Sequence, residues 1–104
     1  MLVTASDDKT LIVWDGATGQ QLQQLRGHDG GVKAVAWKGH QIVSGADDKS
    51  VIVWDAATGQ QASKLEGHAG AVYSVAVEGS RIVSASRDGT AIVWDAPTGQ
   101  PRAQ

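Results

Sequence analysis

The chain has 104 residues, of which 41% are apolar and 19% charged, and a formal net charge of -2. That length holds one small domain, and the composition is that of a folded chain, which excludes a wholly disordered one. The near-neutral charge argues against an electrostatic nucleic-acid binder, and the lack of Cys excludes a disulfide framework and a thiolate metal site. No apolar run approaches the roughly 18 residues of a membrane span, and MLVTASDDKT has neither a basic nor an apolar leader region, so a cytoplasmic location is expected.

Taken in chain order, turn chemistry and short apolar runs alternate about every ten residues. DDK at 7–9 is followed by LIVW at 11–14, GATG at 16–19, GHDGG at 27–31 and KGH at 38–40. The apolar run returns as VIVW at 51–54 and AIVW at 91–94. Such β-branched runs suit strands buried on both faces, and Gly and Asp mark the turns. No segment has a helical apolar period, and 13 Gly residues punctuate the chain too often for helices.

These elements belong to an internal repeat. VWD ends at Asp15, Asp55 and Asp95, TGQ starts at Thr18, Thr58 and Thr98, and Gly27-His28 returns as Gly67-His68, always 40 residues apart. Residues 1–40 match 41–80 at roughly half the positions without a gap, and 81–104 keep the register.

Gly-His followed by Val-Trp-Asp at this period resembles the WD40 repeat of β-propellers, over essentially the whole chain. The resemblance implies an all-β fold of four-stranded antiparallel blades, with strands a to d running from the channel outward. Strand b then falls near Leu2–Ala5, c near Leu11–Asp15, d near Gln21–Arg26 and a near Val32–Trp37. The later copies are b near Ile42–Gly45, c near Val51–Asp55, d near Gln61–Glu66, a near Val72–Val77, b near Ile82–Ala85 and c near Ala91–Asp95. Residues 1–26 are expected to form a partial blade b-c-d, 27–66 a full blade, and 67–104 a partial blade a-b-c. Any eleventh strand is ragged, because Pro101 weakens ladder pairing.

The resemblance also implies a buried hydrogen-bond chain in each blade. Its members are Trp54, Ser44, His28 and Asp48 in the second blade and Trp94, Ser84, His68 and Asp88 in the third. The first blade has Thr4, Asp8 and Trp14 but no preceding Gly-His. The chemistry fits this grouping: a hydroxyl accepts from an indole N–H and donates to imidazole, whose other nitrogen is fixed by a carboxylate. Asp-His-Ser also reads as a hydrolase triad, but the set recurs once per blade, as scaffold parts do. His28, His40 and His68 are not clustered as metal ligands, and no loop has a calcium-binding pattern. No enzyme activity, cofactor or metal is therefore expected. Trp37, outside the Val-Trp-Asp position, reads as core packing.

In the family, the face built by the loops before strand a and between b and c meets protein or peptide partners. Its counterparts here are Asp7, Lys33, Asp47, Tyr73 and Arg87. Two and a half to three blades leave two apolar faces open, and repeat arrays normally end in polar caps, which are absent here. The expected first partner is a second copy: a head-to-tail homodimer gives about six blades, and a homotrimer about nine. Exchange of terminal strands between copies would place His28 or His68 in a neighbouring blade. The alternative is a fragment, or an engineered piece, of a larger propeller scaffold.

Overall fold

The computed structural model describes residues 2–39, 41–56, 58–78, 81–95 and 100–103; His40 lies outside them. Eleven strands follow one another: β1 (Leu2–Ala5), β2 (Thr10–Trp14), β3 (Gln21–Arg26), β4 (Val32–Lys38), β5 (Gln41–Ala46) and β6 (Ser50–Asp55), then β7 (Gln61–Glu66), β8 (Val72–Glu78), β9 (Arg81–Ser86), β10 (Ala91–Asp95) and β11 (Gln100–Ala103). They form three antiparallel sheets, ordered β1-β2-β3, β4-β5-β6-β7 and β8-β9-β10-β11.

The third sheet corrects one expectation. It is not limited to three strands, because β11 pairs with β10. Its register explains why proline is tolerated. In every sheet the outer ladder slips between Val and Trp, at Val13/Trp14, Val53/Trp54 and Val93/Trp94. This sets Trp14 opposite Gln21, Trp54 opposite Gln61 and Trp94 opposite Pro101. Pro101 thus sits beside a bulge on an edge strand, where a missing N–H costs least.

Side chains alternate across each sheet, and both faces are apolar. From the first sheet, Val3, Leu11, Val13 and Leu25 pack on Val32, Ile42, Ile52 and Trp54 of the second. The opposite face of the second sheet repeats the contact one period on, where Val43, Val51, Val53 and Leu65 meet Val72, Ile82, Ile92 and Trp94. Odd-numbered positions of the central strands therefore face forward to the next sheet and even-numbered ones face back. Each buried aliphatic side chain contributes about 1.5–3 kcal/mol. A backbone bond from Val32 N to Ser6 O (2.9 Å) adds to the first of these contacts. Trp37, expected in the core, is instead 37% exposed near the end of β4.

The hairpins between β1 and β2, β5 and β6, and β9 and β10 share one turn. The residue just before or near the start of the second strand is left-handed in each: Lys9 (φ 77°), Lys49 (φ 74°) and Gly89 (φ 86°). The N–H of each donates back to the residue three before it, Ser6, Ala46 and Ser86, at 3.2–3.3 Å. Only glycine occupies this region without a Cβ penalty. Lys49→Gly should therefore raise stability by about 0.5–1 kcal/mol and Gly89→Lys should lower it by about 1 kcal/mol, read from urea-denaturation midpoints.

Candidate functional site

The polar residues singled out by the repeat meet between strands. Ser44 lies in the middle of β5, opposite Ile52, and Trp54 lies near the end of β6. Trp54 Nε1 donates to Ser44 Oγ (2.8 Å), and Ser44 Oγ lies 2.6 Å from His28 Nε2. His28 comes from the turn leading into β4, and its Nδ1 lies 3.0 Å from Asp48 Oδ2. The carboxylate only accepts, so the proton sits on Nδ1; Nε2 then accepts from the Ser44 hydroxyl, which accepts from the indole. Every group in this chain has a partner of the right polarity. Gly27 is needed beside it, because a Cβ there would lie 2.9 Å from the Trp54 ring; at Gly67 it would lie 3.0 Å from Trp94.

The third sheet repeats the arrangement less tightly. Trp94 Nε1 donates to Ser84 Oγ (2.8 Å), and His68 Nε2 lies 2.7 Å from the same oxygen. His68 Nδ1 is 3.5 Å from Asp88 and 3.3 Å from Thr90 Oγ1. In the first sheet Trp14 Nε1 donates to Thr4 Oγ1 (2.9 Å), but Thr4 is exposed, and among the described residues no imidazole is bonded to it. Asp8 accepts from the Thr10 hydroxyl at 2.5 Å. Within the chain, His28 and His68 each serve their own sheet.

One member of each chain escaped the sequence reading. Ser50 Oγ donates to Asp48 Oδ1 (2.6 Å), Thr10 to Asp8 and Thr90 to Asp88. The signal was present: positions 10, 50 and 90 carry a hydroxyl two residues after each of these Asp residues. Backbone N–H groups of Asp29 and Ala69 also donate to Asp48 and Asp88, both at 2.8 Å.

These contacts set the electrostatics. Burial holds the His28 imidazole below its usual 6.5, and the Asp48 hydrogen bond and charge offset this only in part, so the ring is neutral at pH 7. Burial alone would raise Asp48, but the Ser50 hydroxyl, the Asp29 and Ser50 N–H groups and His28 outweigh it and leave the carboxyl below 3.8. The Thr90 hydroxyl and Ala69 N–H hold Asp88 far below the same value. The Thr10 and Ser6 hydroxyls lower Asp8.

At the turn end, Lys33 of β4 bridges two sheets. Its Nζ lies 2.5 Å from Asp7 and 3.8 Å from Asp47. The Asp7 hydrogen bond and charge raise the lysine above its usual 10.5. Tyr73, the repeat counterpart of Lys33, is 54% exposed, and Arg87, the counterpart of Asp7 and Asp47, is also exposed. The structure thus joins Asp7, Lys33 and Asp47 and leaves Tyr73 and Arg87 on the surface. Among the described residues no group of three or more His, Asp or Glu side chains is placed to hold a metal ion, and no helix is long and apolar enough to cross a membrane.

The profile of the WD domain, G-beta repeat, matches residues 1–15, 19–55 and 59–95. No curated protein matches the sequence. Among solved structures, the computationally designed Ika8 protein is similar at a TM-score of 0.89 and 36% identity, over 98% of this chain and 33% of that one. The WD40 repeats of RRP9 are similar at 0.90 and 30%, over 97% and 32%. The computationally designed Ika4 protein is similar at 0.84 and 38%, over 89% and 58%. The chain therefore spans about one third of the length of the Ika8 and RRP9 chains.

Two measurements probe the hydrogen-bond chains. Ser44→Ala leaves the Trp54 N–H and His28 Nε2 buried without partners and should cost about 2–3 kcal/mol, whereas Thr4→Ala, at an exposed site, should cost less than about 1 kcal/mol. Urea midpoints of the two variants give the comparison. The second measurement is pH dependence. A folded pKa below the unfolded one means that the unfolded chain binds the proton more tightly. The His28 contribution is whole above 6.5 and is lost as pH falls through the folded value; those of Asp48 and Asp88 are whole above 3.8 and are lost lower still. Stability should fall in two stages on acidification, and His28→Asn should reduce the first.

Proposed function

The chain belongs to the WD40 repeat family, and from that premise we propose that it is a non-catalytic propeller building block. Its first partner is a second copy of itself, joined head-to-tail into a closed ring. The ring is a scaffold for protein or peptide partners, which meet the turn end where Tyr73 and Arg87 are exposed.

One observation supports self-association above the others. Residues buried between sheets inside the chain have counterparts uncovered at its two ends. Ile42, Ile52 and Trp54 are buried, but Leu2 is 48% exposed, and Ile12 and Trp14 are half-buried. Val43 and Val53 are buried, but Val83 and Val93 are half-buried. The first set faces back and the second faces forward, so the two ends complement each other as the internal faces do. Such a contact is heterologous and closes when the rotation permits. Two copies supply about six blades, within the usual range.

The non-catalytic reading rests on the polar clusters. The Asp-His-Ser sets are internally satisfied and recur from sheet to sheet. An active site needs a convergent, unrepeated cluster in a cleft. The second reading is that the chain is a piece of a longer propeller, natural or engineered. The lengths of the Ika8 and RRP9 chains favour it, as does the designed origin of Ika8 and Ika4.

Light scattering after size-exclusion chromatography separates the two. Self-assembly predicts one discrete mass of two chains over a wide concentration range. Leu2→Glu and Val83→Glu should each shift it to one chain, and Tyr73→Ser, away from both end faces, should not. A monomer throughout, or an open-ended series of masses, defeats the ring and leaves the longer-propeller reading.

A further inference from the structure

Asp-Gly occurs three times in the chain, at Asp15-Gly16, Asp29-Gly30 and Asp88-Gly89. Such a pair can close on itself, because glycine has no Cβ to shield its nitrogen from the preceding carboxyl carbon. Closure requires the backbone and the carboxyl to turn. The surroundings of each pair therefore decide which one reacts in the folded chain.

Two of the pairs are tied to distant segments. Asp29 N donates to Asp48 Oδ2 at 2.8 Å, and a Cβ on Gly30 would lie 2.7 Å from Asp48 N. The next carbonyl, of Gly31, accepts from Asp47 N at 2.9 Å. The Asp88 carboxylate accepts from the N–H groups of Ala69 and Thr90, both at 2.8 Å, and from the Thr90 hydroxyl. Gly89 N, the nitrogen that would attack, itself donates to Ser86 O at 3.2 Å.

Asp15 is held differently. It opens the turn between β2 and β3, and its partners lie in that same turn. Ala17 N donates to Asp15 Oδ1 (2.9 Å), Gly19 N donates to the Asp15 carbonyl (2.8 Å), and Asp15 N donates to Gln20 O (2.8 Å). The turn can thus rearrange without breaking a bond to another segment. Residues 16–20 are exposed, and this does not depend on an outer position: in the middle sheet, covered on both faces, Asp55, Thr58 and Gln60 of the corresponding turn are exposed as well. The later turns carry Ala56 and Ala96 where the first carries Gly16. The Ala17 N–H holds the Asp15 carboxyl below its usual value, so closure quickens as pH falls and the protonated form gains.

We propose that Asp15-Gly16 is a site of spontaneous covalent modification, at which the folded chain converts aspartate to isoaspartate. Gly16 N bonds to Asp15 Cγ and loses its proton, and a carboxyl oxygen leaves as water, which gives a succinimide. Water then opens the ring at the main-chain carbonyl carbon. The chain now runs through the former side-chain carbonyl, and the former main-chain carbonyl becomes a carboxylate. One water leaves and one enters, so the mass is unchanged. The main chain is one methylene longer inside the turn, and the bonds that Asp15 makes to Gly19 and Gln20 lose their register.

The test ages the full chain at pH 6, where circular dichroism confirms that it stays folded, and in parallel in urea that unfolds it. Trypsin then separates the three pairs: Asp15 falls in residues 10–26, Asp29 in 27–33 and Asp88 beyond Arg87. Electron-transfer fragmentation identifies isoaspartate in each peptide. In the folded chain it should accumulate at Asp15 at least tenfold faster than at Asp29 or Asp88, and in urea the three rates should converge. Gly16→Ala, whose Cβ meets nothing within 4 Å, should leave the fold intact and cut the product at Asp15 at least tenfold. A folded chain that isomerises at Asp29 or Asp88 as fast as at Asp15 overturns the proposal. So does one that isomerises nowhere while the urea sample does, or a Gly16→Ala chain that keeps the original rate.

Discussion

A sheet that is apolar on both faces has to be covered on both faces, and the rest of this structure follows from that constraint. The central runs LIVW, VIVW and AIVW carry no polar residue, so neither side of β2, β6 or β10 suits water. One sheet cannot bury itself. Stacking solves the problem by turning each forward face onto the next backward face, and the same pairing of Val positions with Ile and Trp positions then repeats every period. The middle sheet, covered twice, has Val51, Ile52, Val53 and Trp54 all buried. The outer sheets are each covered once, and their uncovered faces are the surfaces on which the proposed assembly rests.

The hydrogen-bond chains depend on this stacking in turn. An indole N–H, a hydroxyl, an imidazole and a carboxylate are worth joining where water is excluded, since each is costly there without its partner. The chain draws Trp54, Ser44, Asp48 and His28 from separate strands and turns, and so it locks the hairpin of β5 and β6 to the approach of β4. Its completeness tracks burial. The middle chain is closed, the third is looser at the carboxylate, and the first stops at an exposed Thr4.

Much of this was legible in the sequence, for reasons tied to particular residues. A strict 40-residue register makes each residue's role testable against its counterparts, so the Trp-Ser-His-Asp sets that the WD40 resemblance implies could be placed residue by residue, and side-chain chemistry supports the grouping. Ser50, Thr10 and Thr90 were legible in the same way but lay in turns, where a hydroxyl is common enough to pass unnoticed. The eleventh strand was legible only as a ragged one. Pro101 is a poor strand residue, and only the bulge beside Trp94 and the edge position make it acceptable. Trp37 misled because its repeat counterpart Val77 packs against the core, whereas Trp37 itself is partly exposed.

The sequence by itself determined the repeat and the all-β class, and its resemblance to the WD40 repeat implied the order of strands and the partners within each hydrogen-bond chain. These depend on separations of 10 to 20 residues and on local chemistry, which a period fixes. Only the tertiary structure decided which faces meet, that Lys33 reaches across to Asp7, and that Leu2 is exposed and Val83 half-buried in the two outer sheets. Repeat counterparts are chemically alike, and what separates them is the presence or absence of a neighbouring sheet, a property of the packed chain that no single repeat encodes.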